Sequence, residues 1–296
     1  MDSPHGAEVS AEDFGLEGPR GWAFRGVDFT ADPGTLVAIE GPSGSGRTCL
    51  LLALTGRMRS TQGHAEVGGQ RMPGRLAAVR RISSLGPVPG VSELDPAFTV
   101  AEHLRERALL QRRFDGSLGT LLEPRARRRA TARAAVDAAL EAVRLDTSAL
   151  PKAERTSVRD LERLEALRLS LALALMARPR LLAVDDTDLK LSDADRAEAW
   201  ELLGALADAG TTVLAVCSEA PEDALTVRTG TGATREQPDG AAGGSTGEND
   251  TARNDTAGND TAATDTAGND MSENAPTEDD TTGEGTADAI AETGRA

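Results

Sequence analysis

The stretch Ala38–Leu54, "AIEGPSGSGRTCLLLAL", decides how the rest of the chain is read. It begins at the end of an apolar run, "TLVAIE", and closes on leucines at the density of a buried helix face. Between them, Gly41–Thr48 "GPSGSGRT" has the spacing glycine, four residues, glycine, basic residue, threonine. Gly41, Gly44 and Gly46 allow backbone N–H groups to curl around a phosphate, and a helix opening on the loop adds the positive end of its dipole. Pro42, Ser43 and Ser45 complete the cradle, Arg47 supplies charge, and the Thr48 hydroxyl is placed to ligate Mg2+. Cys49, next on the helix, reads as a small apolar residue at the edge of the same site. The competing reading is a strand-to-helix turn with no ligand. Strand, glycine loop and helix in that order favour the phosphate site.

Upstream, "WAFRGVDFT", Trp22–Thr30, alternates as a strand on a partly exposed sheet, and "ADPG" turns the chain into the buried strand before the loop. Downstream, "VAEHLRERALLQRRF" and "RARRRATARAAVDAALEAVRL" have helical spacing and few β-branched residues. A further helix is expected from about Ser157 to Ala177, with Leu161, Leu164, Leu167, Leu171 and Leu175 on one face. Strand "LLAVDD" begins at Leu181, a helix follows over about 193–209, and "TTVLAVCS" is another strand. Strands alternating with helices around a helical insertion indicate an α/β domain with a mostly parallel core sheet.

A magnesium-bound phosphate needs a second element, an apolar strand ending in a carboxylate. "LLAVDD" supplies Asp185 for the metal, with Asp186 beside it.

With these residues in place the chain resembles the ATP-binding subunits of ATP-binding cassette (ABC) transporters. "MARPRLLAVDD" is similar to the family's Walker B stretch. Residues 22–69 are similar to its opening from the first strand past the P-loop, "AFTVAEHL" to the start of its helical subdomain, and "GTTVLAVCSEAPE" to its last core strand and switch loop. The resemblance covers about Phe14–Gly230. It implies a P-loop fold with a mostly parallel core sheet, an antiparallel β subdomain and an α-helical subdomain near 100–177. It also implies ATP and Mg2+ as cofactors, a homo- or heterodimer of nucleotide-binding subunits, and a separate membrane-spanning permease partner. Such a subunit is cytoplasmic and peripheral at the inner face of the membrane. An adenine-stacking aromatic is expected near the first strand, with Phe14 and Trp22 as candidates.

The chain departs from the family pattern at five places. Arg47 stands for the P-loop lysine, and its planar guanidinium holds phosphate differently from a compact ammonium. Asp186 replaces the glutamate that polarises the attacking water, one methylene shorter. Ser218 stands at the switch histidine. Pro87 is the nearest match to the missing Q-loop glutamine. The signature falls on "LERLE", Leu161–Glu165, where Glu162 and Glu165 bring like charge toward an anion. An alternative register starts that helix with Ser157 as N-cap and Asp160 three residues on. These departures predict weak or lost hydrolysis, leaving open a non-hydrolysing regulatory or scaffold protein of the same fold.

Composition narrows the rest. From Thr231 onward fifteen acidic residues face three arginines, so most of the formal −16 charge lies in that tail. A five-residue polar repeat, Asn249–Asp270, predicts a disordered extension over 231–296. Residues 1–13 read as a flexible, acidic N-terminus without the pattern of a signal peptide. No apolar run approaches the roughly 18 residues that span a bilayer. Two cysteines are too few for a disulfide framework and fit a reducing cytoplasm. The arginine cluster Arg125–Arg133 reads as a solvated helix face rather than a lipid contact. No concentrated basic face supports a nucleic-acid partner.

Overall fold

Two sheets lie back to back with the P-loop helix between them. In the computed structural model, which describes residues 6–114, 124–187 and 191–230, the first sheet is antiparallel with order β2-β1-β4-β5. Its strands are β1 (Val9–Gly18), β2 (Gly21–Ala31), β4 (Gln62–Val67) and β5 (Gln70–Met72). The second is parallel throughout, order β6-β7-β8-β3-β9. It comprises β6 (Ser83–Leu85), β7 (Leu181–Val184), β8 (Thr212–Cys217), β3 (Leu36–Glu40) and β9 (Leu225–Arg228). The described α-helices are α1 (Arg47–Leu54), α2 (Leu76–Ile82), α3 (Val100–Phe114), α4 (Arg125–Ala142), α5 (Arg163–Leu175) and α6 (Asp193–Asp208).

Side chains alternate across the parallel sheet and divide the interior into two cores. Val37, Ile39, Leu181, Ala183, Leu214 and Val216 face α1 and the antiparallel sheet. Leu182, Val184, Val213 and Ala215 face the helices, packing with Leu171 and Ala172 of α5 and with Leu202 and Leu203 of α6. Both faces of these strands are covered, so they read as continuous apolar runs rather than as alternation.

Two expectations change. Residues 9–13 are not a flexible leader: they open β1, with Ala7, Val9 and Ala11 buried. The Ala7 N–H donates to the Arg180 carbonyl at 3.0 Å, and the Arg180 guanidinium returns a bond to Gly6. β1 is acidic in composition and becomes a strand by pairing on both edges, Val9 with Ala31 and with Val67.

The helix expected from Ser157 begins instead at Arg163. Ser157 bridges Thr99, Val158 N–H donates to Phe98 and Val100 N–H to Thr156, so this segment is held extended by its neighbour. Only a short 3-10 turn, Val158–Asp160, forms before Leu161 returns to extended backbone. The Ser157 register is therefore overturned. Leu164, Leu167 and Leu171 are buried as expected, but so are Leu169, Ala172 and Ala174, because α5 lies between the sheet and other helices. The acidic repeat lies outside the described residues.

Candidate functional site

The carboxyl ends of β3, β8 and β7 line one edge of the parallel sheet, and Glu40 pairs with Cys217 in register. Ligands of open parallel sheets bind at this edge. The loop after β3 carries its glycines where the backbone demands them. Gly46 caps α1 with φ 85°, and a Cβ there would meet the Ala23 carbonyl oxygen at 1.9 Å. Gly44 has φ 81° with open space around its Cα. A Cβ on Gly41 would strike Thr229 and Ser45, whose hydroxyls share a buried hydrogen bond of 2.7 Å.

The predicted metal pair comes together across 137 residues of chain. Thr48 Oγ1 donates to Asp185 Oδ2 at 2.7 Å. Asp185 is buried, and its Oδ1 accepts the Asp186 N–H at 2.9 Å. Its own N–H donates to the Pro87 carbonyl at 2.9 Å, which brings the residue expected as the nearest match to the Q-loop glutamine against the acid. A hydroxyl and a carboxylate oxygen converging at the start of a helix would suit a small hard cation. Among the described residues no group of three or more His, Cys, Asp or Glu could hold a metal. Burial, and then the Asp185 charge, push the Cys49 thiol up from its ordinary value.

Arg47, the first residue of α1, donates through Nη1 to the Cys217 carbonyl at the end of β8. Ser218 follows directly and is exposed. Asp186 has φ 49°, a left-handed backbone that Asp enters more readily than most residues. Asp185, Asp186, Arg47 and Ser218 therefore share the sheet edge, the acids directly after β7, Ser218 directly after β8 and Arg47 at the start of α1.

The two aromatics separate clearly. Phe14 is 1 % exposed, its ring centroid 5.6 Å from that of Phe24, so it belongs to the core and is withdrawn as a stacking candidate. Trp22 is 39 % exposed, and it precedes Ala23, whose carbonyl lies against Gly46. Thr229, on the turn after β9, is a site neighbour that sequence reading missed. It stands in no recognisable pattern and reaches the loop only through the β3–β9 pairing.

The stretch Leu161–Glu165 is a helix start that caps itself. Glu162 occupies the N-cap of α5, and its N–H donates to Glu165 Oε2 at 2.8 Å. Leu164 points into the helical core. A donor at the helix N-terminus is thus already engaged by a carboxylate of the same chain.

The family model described as "ABC transporter" matches residues 24–188. Among curated proteins, the Nod factor export ATP-binding protein I of Cupriavidus metallidurans is 32 % identical over 188 residues, covering 64 % of this chain and 55 % of that protein. A putative ABC transporter ATP-binding protein of Streptomyces avermitilis is 35 % identical over 193 residues, covering 65 % of this chain and 30 % of that one. The chain thus spans about half the length, or less, of these relatives. Among solved structures, CbiO1 of Clostridium perfringens, part of an ABC transporter complex, superposes with a TM-score of 0.56 at 18 % identity, covering 71 % of this chain and 78 % of that one. A dimeric bacterial ABC transporter cassette gives 0.55 at 20 % identity, covering 71 % and 88 %. These two likenesses concern the fold.

Proposed function

This chain belongs to the ABC transporter family, and from that premise we propose that it is an ATP-binding subunit that couples Mg2+–ATP to a separate membrane-spanning partner. The observation that carries the proposal is the 2.7 Å contact between Thr48 and Asp185 at the mouth of the glycine loop. Thr48 and Asp185 would hold Mg2+, which when bound neutralises phosphate charge. The N–H groups of Gly41–Thr48 would hold the phosphates, and Trp22 would stack on the base. Among the described residues no helix is long and apolar enough to cross a membrane, so transport by this part of the chain would need a partner that supplies the passage. Dimerisation of two such subunits, like or unlike, belongs to the same proposal.

Hydrolysis is expected to be weak. Asp186 is the group proposed to polarise water, and its side chain is a methylene short of the family's glutamate. Arg47 is engaged with Cys217, and the α5 start carries Glu162 and Glu165. The self-capped α5 favours the second reading, a nucleotide-binding regulatory or scaffold protein that does not hydrolyse.

Calorimetry with ATP, with and without Mg2+, on the wild type and Arg47→Lys tests the binding reading. Binding in the micromolar to millimolar range is expected, and absence of heat from both proteins refutes a nucleotide site. Mg2+-dependent turnover above an Arg47→Ala control separates the enzyme from the non-hydrolysing protein.

A further inference from the structure

A cavity whose lining shares no residue with the glycine loop concentrates guanidinium groups that have no carboxylate partner among the described residues. It has a volume of about 560 Å3 and lies among α2, β6, α3, the end of α5 and the loop before α3. Arg57, Arg80, Arg81 and Arg107 line it, together with Ser83, Ser84 and Ser92.

The arginines come from three separate places and are held firmly. Arg57 donates to the Thr55 carbonyl at 2.9 Å and to Ser83 Oγ at 3.0 Å. Arg80 donates to the next carbonyl, Gly56, at 2.7 Å. Two guanidiniums thus sit on consecutive carbonyls at the end of α1. From across the cavity, Arg107 of α3 is anchored through Nε to the Leu173 carbonyl at 2.9 Å.

The negative end of the α1 dipole accounts for attracting cations here. It does not use up their hydrogen-bonding capacity. A guanidinium has five N–H donors, and Arg80 and Arg107 each commit one to a protein carbonyl. Nor does the dipole explain Arg107, which belongs to a different helix. Two carboxylates also line the cavity, Glu93 and Glu106. Glu93 accepts the Gly90 N–H of its own loop at 2.9 Å, and Glu106 is exposed on α3. Neither forms an ion pair with Arg57, Arg80 or Arg107 among the described residues. Burial, and then the neighbouring Arg80 charge, bring Arg57 down to about 10, the expected result when like charges share a space that water only partly fills.

We propose that this cavity is a binding site for a small phosphate-class oxyanion, held between Arg57 and Arg80 on one wall and Arg107 on the other. Arg80 and Arg107 keep N–H donors beyond their single anchors, and a guanidinium fork matches an oxyanion bidentately. Arg57, whose Nη1 and Nη2 bond Thr55 and Ser83, adds chiefly its charge. Ser84 is a buried hydroxyl on the β6 side, suited to a remaining oxygen, while the Ser83 hydroxyl donates to the Thr55 carbonyl and accepts from Arg57. The cavity volume lies in the range of small-molecule sites. Its lining shares no residue with the glycine loop, so variants of the loop leave the cavity side chains in place.

The test is calorimetric titration of the full chain with inorganic phosphate and, separately, with glycerol phosphate. An Arg47→Ala/Thr48→Ala background is used so that the glycine loop does not contribute. Saturable binding in that background is expected, weakened about tenfold or more (1.4 kcal/mol or more) by Arg80→Ala. Ser92→Asp, which adds a negative charge at the rim and leaves the α1 end intact, is expected to weaken it similarly. Tighter binding of glycerol phosphate assigns an organic phosphate, and equal binding assigns the free ion. Absence of binding in that background, or indifference to both cavity variants, overturns the site. So does binding of a glutamate-rich peptide in place of either phosphate.

Discussion

Arg47 Nη1 donates to the Cys217 carbonyl, so the basic residue of the glycine loop is tied to the end of the neighbouring strand β8. A lysine at this position lacks the planar fork that makes this contact while the side chain still leaves the loop. A charge-assisted hydrogen bond contributes roughly 1.5–3 kcal/mol, and a phosphate must compete with it. Arg47→Lys is therefore expected to tighten Mg2+–nucleotide binding by about tenfold, read by calorimetry. Unchanged or weaker binding in the lysine variant would show that the Cys217 contact does not oppose the ligand.

The Thr48–Asp185 pair makes a separate prediction. Asp185 is buried, and it accepts from both Thr48 and the Asp186 N–H. Asp185→Asn keeps the shape but removes the charge that a divalent cation needs. Nucleotide binding without Mg2+ should then stay near wild type, while the extra affinity conferred by Mg2+ should disappear. Asp185→Ala additionally leaves Thr48 without its acceptor and should cost about 1–3 kcal/mol in urea unfolding. Retention of the full Mg2+ effect in Asp185→Asn would remove Asp185 from the metal site.

Two glycines of one loop should respond differently to alanine. At Gly44 the added methyl meets open space, so only the left-handed backbone, φ 81°, is penalised. That cost is about 1–2 kcal/mol. At Gly46 the same penalty is joined by a collision with the Ala23 carbonyl, and the loop must leave β2. Chemical unfolding should rank Gly46→Ala below Gly44→Ala. Nucleotide-dependent quenching of Trp22, measured in a Trp200→Phe background, should be lost in Gly46→Ala.

How much of this was legible beforehand depends on how local each signal is. β3, the loop and α1 are contiguous, and their glycines, apolar run and leucines announce one unit in 17 residues of sequence. β1 announces nothing, because "VSAEDFGLEG" is half polar and acquires its strand character from Ala31 and Val67 on either side. Phe14 and Trp22 are equally plausible as letters, and only burial against Phe24 separates them. The start of α5 was misplaced because the pairing of Ser157 with Thr99 outweighs a local capping pattern. Thr229 and Ser45 meet across 184 residues, a relation that no short window contains.

The pH dependence should include a contribution from the start of α3. Glu102 accepts the Thr99 N–H and hydroxyl, each at 2.8 Å, and these bonds hold its carboxyl below the ordinary carboxylate value. The folded state therefore favours the ionised form. Its stabilising contribution is complete above the unfolded-state value and is lost as pH falls through the lower folded-state value. Unfolding midpoints measured from neutral pH into the acid range should fall less steeply in Glu102→Gln than in the wild type. Identical slopes would mean that the Thr99 bonds contribute equally to both protonation states.

The self-capped start of α5 bears on dimerisation. In the proposed dimer, the Leu161–Glu165 stretch of one subunit would approach the phosphates held by the other. Glu165 takes the Glu162 N–H, and both side chains carry negative charge toward that approach. Glu162→Ser with Glu165→Gln keeps a competent N-cap and a side chain able to reach back, so helix stability should change by less than about 1 kcal/mol. The two lost charges should strengthen nucleotide-driven association, because like charge facing an anion is unfavourable. Light scattering with ATP and Mg2+ should show the double variant shifting toward dimer at protein concentrations where the wild type stays monomeric. If both proteins associate identically, the acidic cap does not face the phosphate of a partner, and Arg47 and Asp186 are then the departures to test for slow turnover.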